Sequence, residues 1–206
     1  MSTTFEVYTP TTNIPTFNEV LLLSNQYLSE HLAKYDICDK YTIDVDIKKS
    51  KTNKNVVFSK SNPATWGADE YAWFKVNEEP GGCDAYVDKV EPLDWDCWND
   101  EFFSNERSRK IKSQMRKCLE VGFNWCFRRS AGQPEIINLS YGLIAAAFTK
   151  LVNGFIFSDD CAWDYEIFPT TADCFLQKYF NPHYVKPDYA DWARDCIALI
   201  KDRNRE

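Results

Sequence analysis

The spacing of apolar and polar residues predicts a chain that contains both helices and strands. Strict alternation over residues 41–47 is typical of a half-buried strand. Apolar residues three and four positions apart over residues 17–33 predict an amphipathic helix. Thr16 and Glu19, at the start of that helix, have the spacing of a capping box.

The same patterns place further elements along the rest of the chain. Further strands are predicted at residues 5–8, 56–59, 71–76, 83–90, 123–129 and 155–158. Further helices are predicted at residues 104–121 and 138–153, and from about residues 170 and 188 onward. Residues 91–103 are predicted to be irregular. This order predicts an α+β fold in which about five helices pack on a mostly antiparallel sheet.

The composition favours one soluble domain over residues 1–206. The chain is 44% hydrophobic and 27% charged, which suits a globular domain of ordinary size. The first residues lack the basic and long apolar regions of a signal peptide. The longest apolar run, residues 143–148, is far shorter than a membrane span. We therefore expect a cytoplasmic protein with no membrane partner.

The eight cysteines are predicted to be reduced thiols. None belongs to a CxxC pair, and neither histidine is next to a cysteine in the sequence. Cysteines 118, 126, 174 and 196 fall at apolar positions of predicted elements, where a free cysteine packs as a small hydrophobe. Neither a disulfide framework nor a cysteine nucleophile is expected.

The charge of the chain is unevenly distributed. The net charge is −7, but residues 69–101 alone carry eleven acidic and only two basic residues, a net −9. Residues 107–117 then contain six basic residues, which we expect to form a solvated face or to offset the acidic segment. An acidic surface repels nucleic acid and attracts basic proteins, so no nucleic-acid partner is expected.

Acidic and aromatic residues together predict a protein-binding surface. Aromatic side chains supply contact area in interfaces, while carboxylates steer and pair with a basic partner. The residues expected to bind a partner are Trp66, Asp69, Glu70, Tyr71, Glu78, Glu79, Asp94, Trp95, Asp96, Trp98, Asp159, Asp160, Asp164 and Glu166. Trp73 and Trp125 are expected to lie in the core instead.

Residues 158–166, with the sequence SDDCAWDYE, admit two interpretations. The four carboxylates Asp159, Asp160, Asp164 and Glu166 are hard oxygen ligands of the kind that magnesium and calcium prefer. Their spacing is not that of an EF-hand loop, and no histidine is near. The first expectation is that the protein holds no metal or cofactor. The alternative function is a small metal-dependent enzyme centred on these four acids.

The favoured interpretation of this segment is architectural. Ser158 and the two aspartates that follow it can bond local backbone N–H groups, as such residues do in turns. Trp163 and Tyr165 are expected to pack beneath the loop. Thr170, three residues before Asp173, is predicted to cap the next helix. The chain contains no P-loop, GxSxG, GxGxxG or HExxH motif, so no catalytic residue is assigned and no enzyme is expected.

Residues 122–181 resemble a known class of small bacterial proteins. The resemblance rests on an apolar helix followed by GFIFSDD, AWDYE, PTTADCFL and an aromatic pair. Proteins with this pattern look like immunity proteins of polymorphic-toxin or type VI secretion systems. The resemblance implies a bacterial, non-enzymatic inhibitor that binds a cognate toxin, and a basic toxin would suit the acidic chain.

Overall fold

The computed structural model describes residues 2–38, 40–103 and 106–204. The strands are β1 (Thr3–Tyr8), β2 (Ile43–Lys49), β3 (Asn55–Val56), β4 (Glu70–Val76), β5 (Cys83–Lys89), β6 (Phe123–Arg129) and β7 (Phe155–Phe157). The α-helices are α1 (Phe17–Ala33), α2 (Pro92–Cys97), α3 (Lys112–Val121), α4 (Glu135–Val152), α5 (Ala172–Lys178) and α6 (Pro187–Arg203). The strands form one antiparallel sheet in the order β3-β2-β4-β5-β6-β1-β7. The predicted α+β fold is confirmed.

Helix α1 follows its sequence pattern closely. The Thr16 backbone N–H donates to Glu19 Oε2 at 2.7 Å, and the Glu19 N–H donates to Thr16 Oγ1 at 3.3 Å. Both hydrogen bonds of the predicted capping box are therefore present, and they satisfy backbone donors that the first turn leaves free. The apolar stripe of the helix, including Val20 and Leu28, is buried.

Four predicted boundaries are wrong. Residues 91–103 are not irregular, because Pro92 opens α2 and a π-helical turn follows over Trp98–Phe102. The helix predicted from residue 104, which itself lies outside the described residues, begins as α3 only at Lys112. Helix α4 begins at Glu135 rather than at residue 138, and the strand predicted at 56–59 shortens to β3.

Thr170 is not the N-cap of α5. The cap is Thr171, which makes no side-chain capping hydrogen bond. Thr170 instead pairs with β7 through two backbone bonds, in which Ile156 N donates to Thr170 O at 2.8 Å and Thr170 N donates to Ile156 O at 3.0 Å. Asp173, the other half of the predicted capping box, forms an ion pair with Lys150.

One face of the sheet is covered by α4, which is the central helix of the fold. Residues 136–149 of this helix are all buried. Its Phe148 ring lies 5.0 Å from the Phe127 ring and 5.1 Å from the Trp125 ring, both on β6. Helix α4 is the one helix of the described residues long and apolar enough to cross a membrane, and 83% of it is buried inside the fold. Such burial is consistent with the core helix of a soluble protein.

The cysteines are free, as predicted, but their positions differ in part. Cys118 and Cys196 are buried, and burial raises the pKa of the Cys118 thiol to about 12. Cys126 is half-buried, whereas Cys174 is exposed rather than packed in the core. Cys174 faces solvent because the buried positions of α5 are Ala172 and Phe175.

Candidate binding cleft on the open face of the sheet

The opposite face of the sheet, which we call the open face, carries the alternate residues of the same strands. On β1, Phe5 and Val7 are fully buried, and Glu6 between them is only half-buried. In the register of the sheet, Glu6 lies opposite Cys126 of β6, and Tyr8 lies opposite Asn124. Polar side chains of β1 and β6 therefore lie side by side on the open face.

Helix α2 and the π-helical turn that follows it lie against one end of the open face. Trp98 fixes this contact, because its ring lies 4.7 Å from that of Phe157, 5.5 Å from that of Phe155 and 5.5 Å from that of Tyr8. Gly154 lets β7 start close to β1, since a Cβ at this position would collide with the Tyr8 carbonyl oxygen. Aromatic packing and a close backbone approach thus hold the wall of a cleft.

This cleft has a volume of about 590 Å³, and six of the thirteen residues that line it are acids. We call it the acidic cleft and define it by its six carboxylates, which are Glu6, Asp88, Glu91, Asp94, Glu101 and Asp159. Lys89 is the one basic side chain among the described residues that line it. Carboxylates collected from two strands, a helix, a turn and a loop create a region of concentrated negative potential.

Glu6 is the carboxylate most affected by this environment. Its Oε2 accepts a hydrogen bond from Tyr8 Oη at 2.6 Å. Burial raises the pKa of the Glu6 carboxyl from 4.5 to about 7, although the Tyr8 hydrogen bond opposes the rise. The charges of Asp159, Asp94 and Asp88 push the pKa in the same direction as burial. The fold thus holds Glu6 where its charged form is disfavoured.

Asn124 adds a polar group that the fold does not satisfy. The residue lines the acidic cleft from β6 and is 7% exposed. Its Oδ1 atom is buried and has no hydrogen-bond partner among the described residues. A buried acceptor left without a donor costs about 1–3 kcal/mol. Asn124 therefore brings an unused, buried acceptor to the lining of a cleft whose carboxylates are themselves acceptors.

Three of the residues predicted to bind a partner lie in the acidic cleft, which are Asp94, Trp98 and Asp159. Asp159 is exposed. Asp94 also holds α2, because its Oδ2 accepts from the Glu91 N–H at 2.7 Å. The prediction for Trp98 needs correction, since its side chain is 4% exposed and forms the wall of the cleft instead of a free anchor.

The remaining predicted residues of the 66–101 segment are not among the residues that line the cleft. Tyr71 is buried and donates to Asn53 Oδ1 at 3.0 Å. Two predicted acids are held by cations, Glu70 by Lys49 at 2.7 Å and Glu79 by Arg203 at 3.8 Å. Trp66 and Trp95 are half-buried against the core, and Asp69, Glu78 and Asp96 are exposed.

The carboxylates of residues 158–166 act mainly within the fold. Asp160 accepts from the Thr4 backbone N–H at 3.0 Å and from Thr4 Oγ1 at 2.8 Å, which attaches the loop to β1. Asp164 is buried and accepts from the Glu166 N–H at 3.1 Å. Lys186 lies 2.7 Å from Glu166 and 3.9 Å from Asp164. Across the described ranges of the chain, no group of three or more His, Cys, Asp or Glu side chains is placed to hold a metal ion.

The aromatic residues of this segment differ from each other. Trp163 is fully buried, and its ring stacks on that of Phe180 at 5.2 Å. Tyr165 is 36% exposed, so its side chain is only partly covered. Trp73 is likewise not in the core, because it points to the open face, where Lys48 lies 4.8 Å from its ring.

Several cleft residues were not assigned to a site from the sequence. The sequence patterns do not single out Glu6, Tyr8 and Asn124, although the alternation of β1 and β6 places all three on one face. The acids at 88, 91 and 101 belong to the acidic segment, but nothing in the sequence distinguishes them from its other acids. Only the strand pairing and the position of α2 show that they face one cleft.

In comparison with known proteins, no family model, curated protein or solved structure significantly matches the chain.

Proposed function

We propose that this chain is a non-enzymatic bacterial immunity protein that binds a basic cognate toxin through the acidic cleft. The observation that carries the proposal is the cleft itself, in which six carboxylates face one lysine. The resemblance of residues 122–181 to immunity proteins gives the class of partner. Complementary charge speeds the encounter of two proteins and fixes their register.

The burial of individual side chains changes which residues the proposal assigns to the contact with the toxin. Two of the predicted aromatic anchors, Tyr71 and Trp98, are buried and serve the fold. Exposed carboxylates at the rim, including Glu101 and Asp159, are free to meet a basic partner. The proposed interface therefore depends more on charge than on aromatic anchors, so its association rate should fall steeply as salt is added.

Co-purification with the product of the adjacent gene tests the proposal. The informative variant is Glu101→Lys/Asp159→Lys, which reverses two exposed charges at the rim of the cleft. The matched control is Asp191→Lys/Asp195→Lys, which makes the same change of charge on the exposed side of α6. Circular dichroism and thermal melting confirm that both variants are folded.

The proposal predicts a one-to-one complex of the unmodified chain that weakens with salt. The cleft variant should lose at least about tenfold in affinity, since rim charges set the association rate and like charges repel. The α6 control should bind as the unmodified chain does. Absence of a complex, or equal losses in the two variants, would contradict the proposal.

The alternative function is a small metal-dependent enzyme centred on Asp159, Asp160, Asp164 and Glu166. Titration calorimetry with magnesium, manganese and calcium separates the two functions. Heat from a saturable site that Asp160→Asn removes would favour the enzyme. Absence of binding at millimolar metal would leave that enzyme without its cofactor.

A further inference from the structure

We propose that the acidic cleft receives the side chain of one arginine of the partner protein. This inference rests on the proposed function for the source of the arginine, but the chemistry of the site stands on the cleft alone. The site combines concentrated carboxylates, a buried acceptor without a donor, and aromatic walls.

The first step of the argument is the sign of the charge. Glu6 and Asp88 lie on neighbouring parts of the open face, and Asp159 and Glu101 close the rim. Lys89 is the single cation in the described lining. Enclosed like charges of this kind repel one another until a cation enters, and their mutual repulsion falls when it does. The ligand should therefore be a cation.

The second step is the type of hydrogen bond that the cleft lacks. Asn124 is more than nine-tenths buried, and its Oδ1 has no partner among the described residues. The carboxylates around it accept hydrogen bonds and donate none at neutral pH, apart from the partly protonated Glu6. A ligand with several N–H donors satisfies Asn124 and a carboxylate at once. A bare metal ion offers no such donor.

The third step favours guanidinium over ammonium. Guanidinium is planar, carries five donors in a fixed fork, and is more weakly hydrated than ammonium, so it loses less on entering a cleft. The walls are aromatic, with Trp98, Phe102 and Phe157 in the lining. Aromatic surfaces suit the flat guanidinium group, which stacks on them more readily than a lysine ammonium does.

The fourth step is that the cleft is already formed without a partner. Asp160 attaches the loop after β7 to Thr4 of β1, and Asp94 holds the start of α2. Trp98 packs on Phe155 and Phe157 and keeps the π-helical turn in place. A preformed site binds without first ordering its own walls, which favours affinity.

Proton release gives an independent signature of the same event. The titratable or charged groups around Glu6 are Tyr8, Asp88, Lys89, Glu91, Asp94, Cys97, Glu101, Cys126 and Asp159. Burial raises the pKa of Glu6 to about 7, so this carboxyl is partly protonated at neutral pH. An arginine that enters beside it favours the charged form. Binding near neutral pH should therefore release a fraction of a proton.

The test is an NMR titration of the full chain with blocked arginine, N-acetyl-arginine methylamide. Blocked citrulline is the matched ligand control, because it keeps the shape and removes the charge. Blocked lysine keeps the charge and removes the planar fork. We expect shift changes confined to the backbone amides of the cleft for arginine, affinity at least about tenfold lower for lysine, and no saturable change for citrulline.

Two variants link the binding to the cleft. Asn124→Leu should weaken arginine binding by at least about tenfold through the lost acceptor, and Glu101→Gln by a smaller factor. Asp191→Asn on α6 is the matched control and should leave binding unchanged. Each variant must first show the amide spectrum of a folded chain.

The outcomes separate this inference from the proposed function. No saturable shift with blocked arginine, or equal binding of citrulline, would overturn the arginine site even if a complex with the toxin forms. Arginine binding in the cleft without any complex would support the site while contradicting the proposed immunity function. If the Asn124→Leu variant still binds blocked arginine as tightly as the unmodified chain, the arginine does not bind in the acidic cleft.

Discussion

The two ends of the open face differ in the partners that they provide for a carboxylate. At one end, Asp84 of β5 is 6% exposed, and its Oδ2 accepts from Arg128 Nε at 2.9 Å and from Tyr86 Oη at 2.7 Å. At the other end, the hydroxyl of Tyr8 is the one hydrogen-bond partner of the Glu6 side chain among the described residues, and the neighbouring charged groups that affect its pKa are acids. Strands β5 and β6 run through both ends, so the difference arises from the choice of side chains rather than from the fold.

The comparison shows that this sheet can neutralise a buried carboxylate where it carries an arginine. No arginine lines the acidic cleft among the described residues, and the Oδ1 atom of Asn124 has no hydrogen-bond partner there. Folding alone gains nothing from such an arrangement, because buried charges and unpaired acceptors reduce stability. The proposed binding of a cation would offset this cost, and the predictions below test the contrast between the two ends.

The largest effect on stability is expected when Asp84 loses its arginine, which leaves this carboxylate without a cation, like Glu6 at the other end. Arg128→Ala leaves Asp84 buried with Tyr86 as its remaining partner. The loss should be about 2–3 kcal/mol in the free energy of unfolding, because a buried charge loses its cation. Urea unfolding measures it. Adding Asp84→Asn to Arg128→Ala should recover part of the loss, and no recovery would mean that packing, not charge, decides this end.

The opposite sign is expected at the acidic end. The raised pKa of Glu6 means that the folded state binds its proton more tightly than the unfolded state, so stability falls as pH rises from 4.5 to about 7. Glu6→Gln cannot ionise and still accepts from Tyr8. It should stabilise the chain by about 1–3 kcal/mol at pH 8 and leave it unchanged at pH 4. Urea unfolding at the two pH values checks this, and a loss at pH 8 would contradict it.

A smaller effect separates partnered from unpartnered acids within the acidic end. Asp160 belongs to the same region as Asp159 but is bonded to Thr4 at two atoms. Asp160→Ala should therefore cost about 1–2 kcal/mol, since two hydrogen bonds to a charged group are lost. Asp159→Ala is the neighbouring control and should be close to neutral. Equal effects in thermal melting would mean that the contacts of Asp160 contribute little.

The smallest effect on stability is expected at the exposed rim. Glu101→Gln should change the free energy of unfolding by no more than about 0.5 kcal/mol, as is usual for an exposed side chain. Its effect should appear in partner binding instead, as a slower association rate in surface plasmon resonance at low salt. An unchanged association rate together with a changed free energy of unfolding would mean that Glu101 serves the fold rather than partner binding.

The sequence predicts the elements well where the pattern is local. The capping box at Thr16 and the alternation of β2 depend on residues within a few positions of each other, and both predictions hold for the core of each element. Helix α2 was missed because its six residues bury no side chain fully and so show no apolar stripe. The α5 cap moved by one residue because Thr170 is used by β7.

The site was predictable only in part, for reasons of distance along the chain. The acidic cleft joins Glu6, Asp88 and Asp159, which come from the start, middle and end of the chain. No spacing rule connects such residues, since only the order of strands in the sheet brings them together. The charge of residues 69–101 indicates an acidic surface, but two of its acids form ion pairs outside the cleft, Glu70 with Lys49 and Glu79 with Arg203.

The most direct measurement is a carbon-13 NMR pH titration of the Glu6 side-chain carboxyl, with and without saturating blocked arginine. The central claim is that the acidic cleft has an excess of negative charge and that a guanidinium group binds there and neutralises part of it. It predicts a pKa of about 7 for Glu6 in the free chain, since burial disfavours its charge, and a clear fall towards 4.5 when arginine is bound. A Glu6 that titrates near 4.5 in the free chain, or one that arginine leaves unchanged, would contradict the claim.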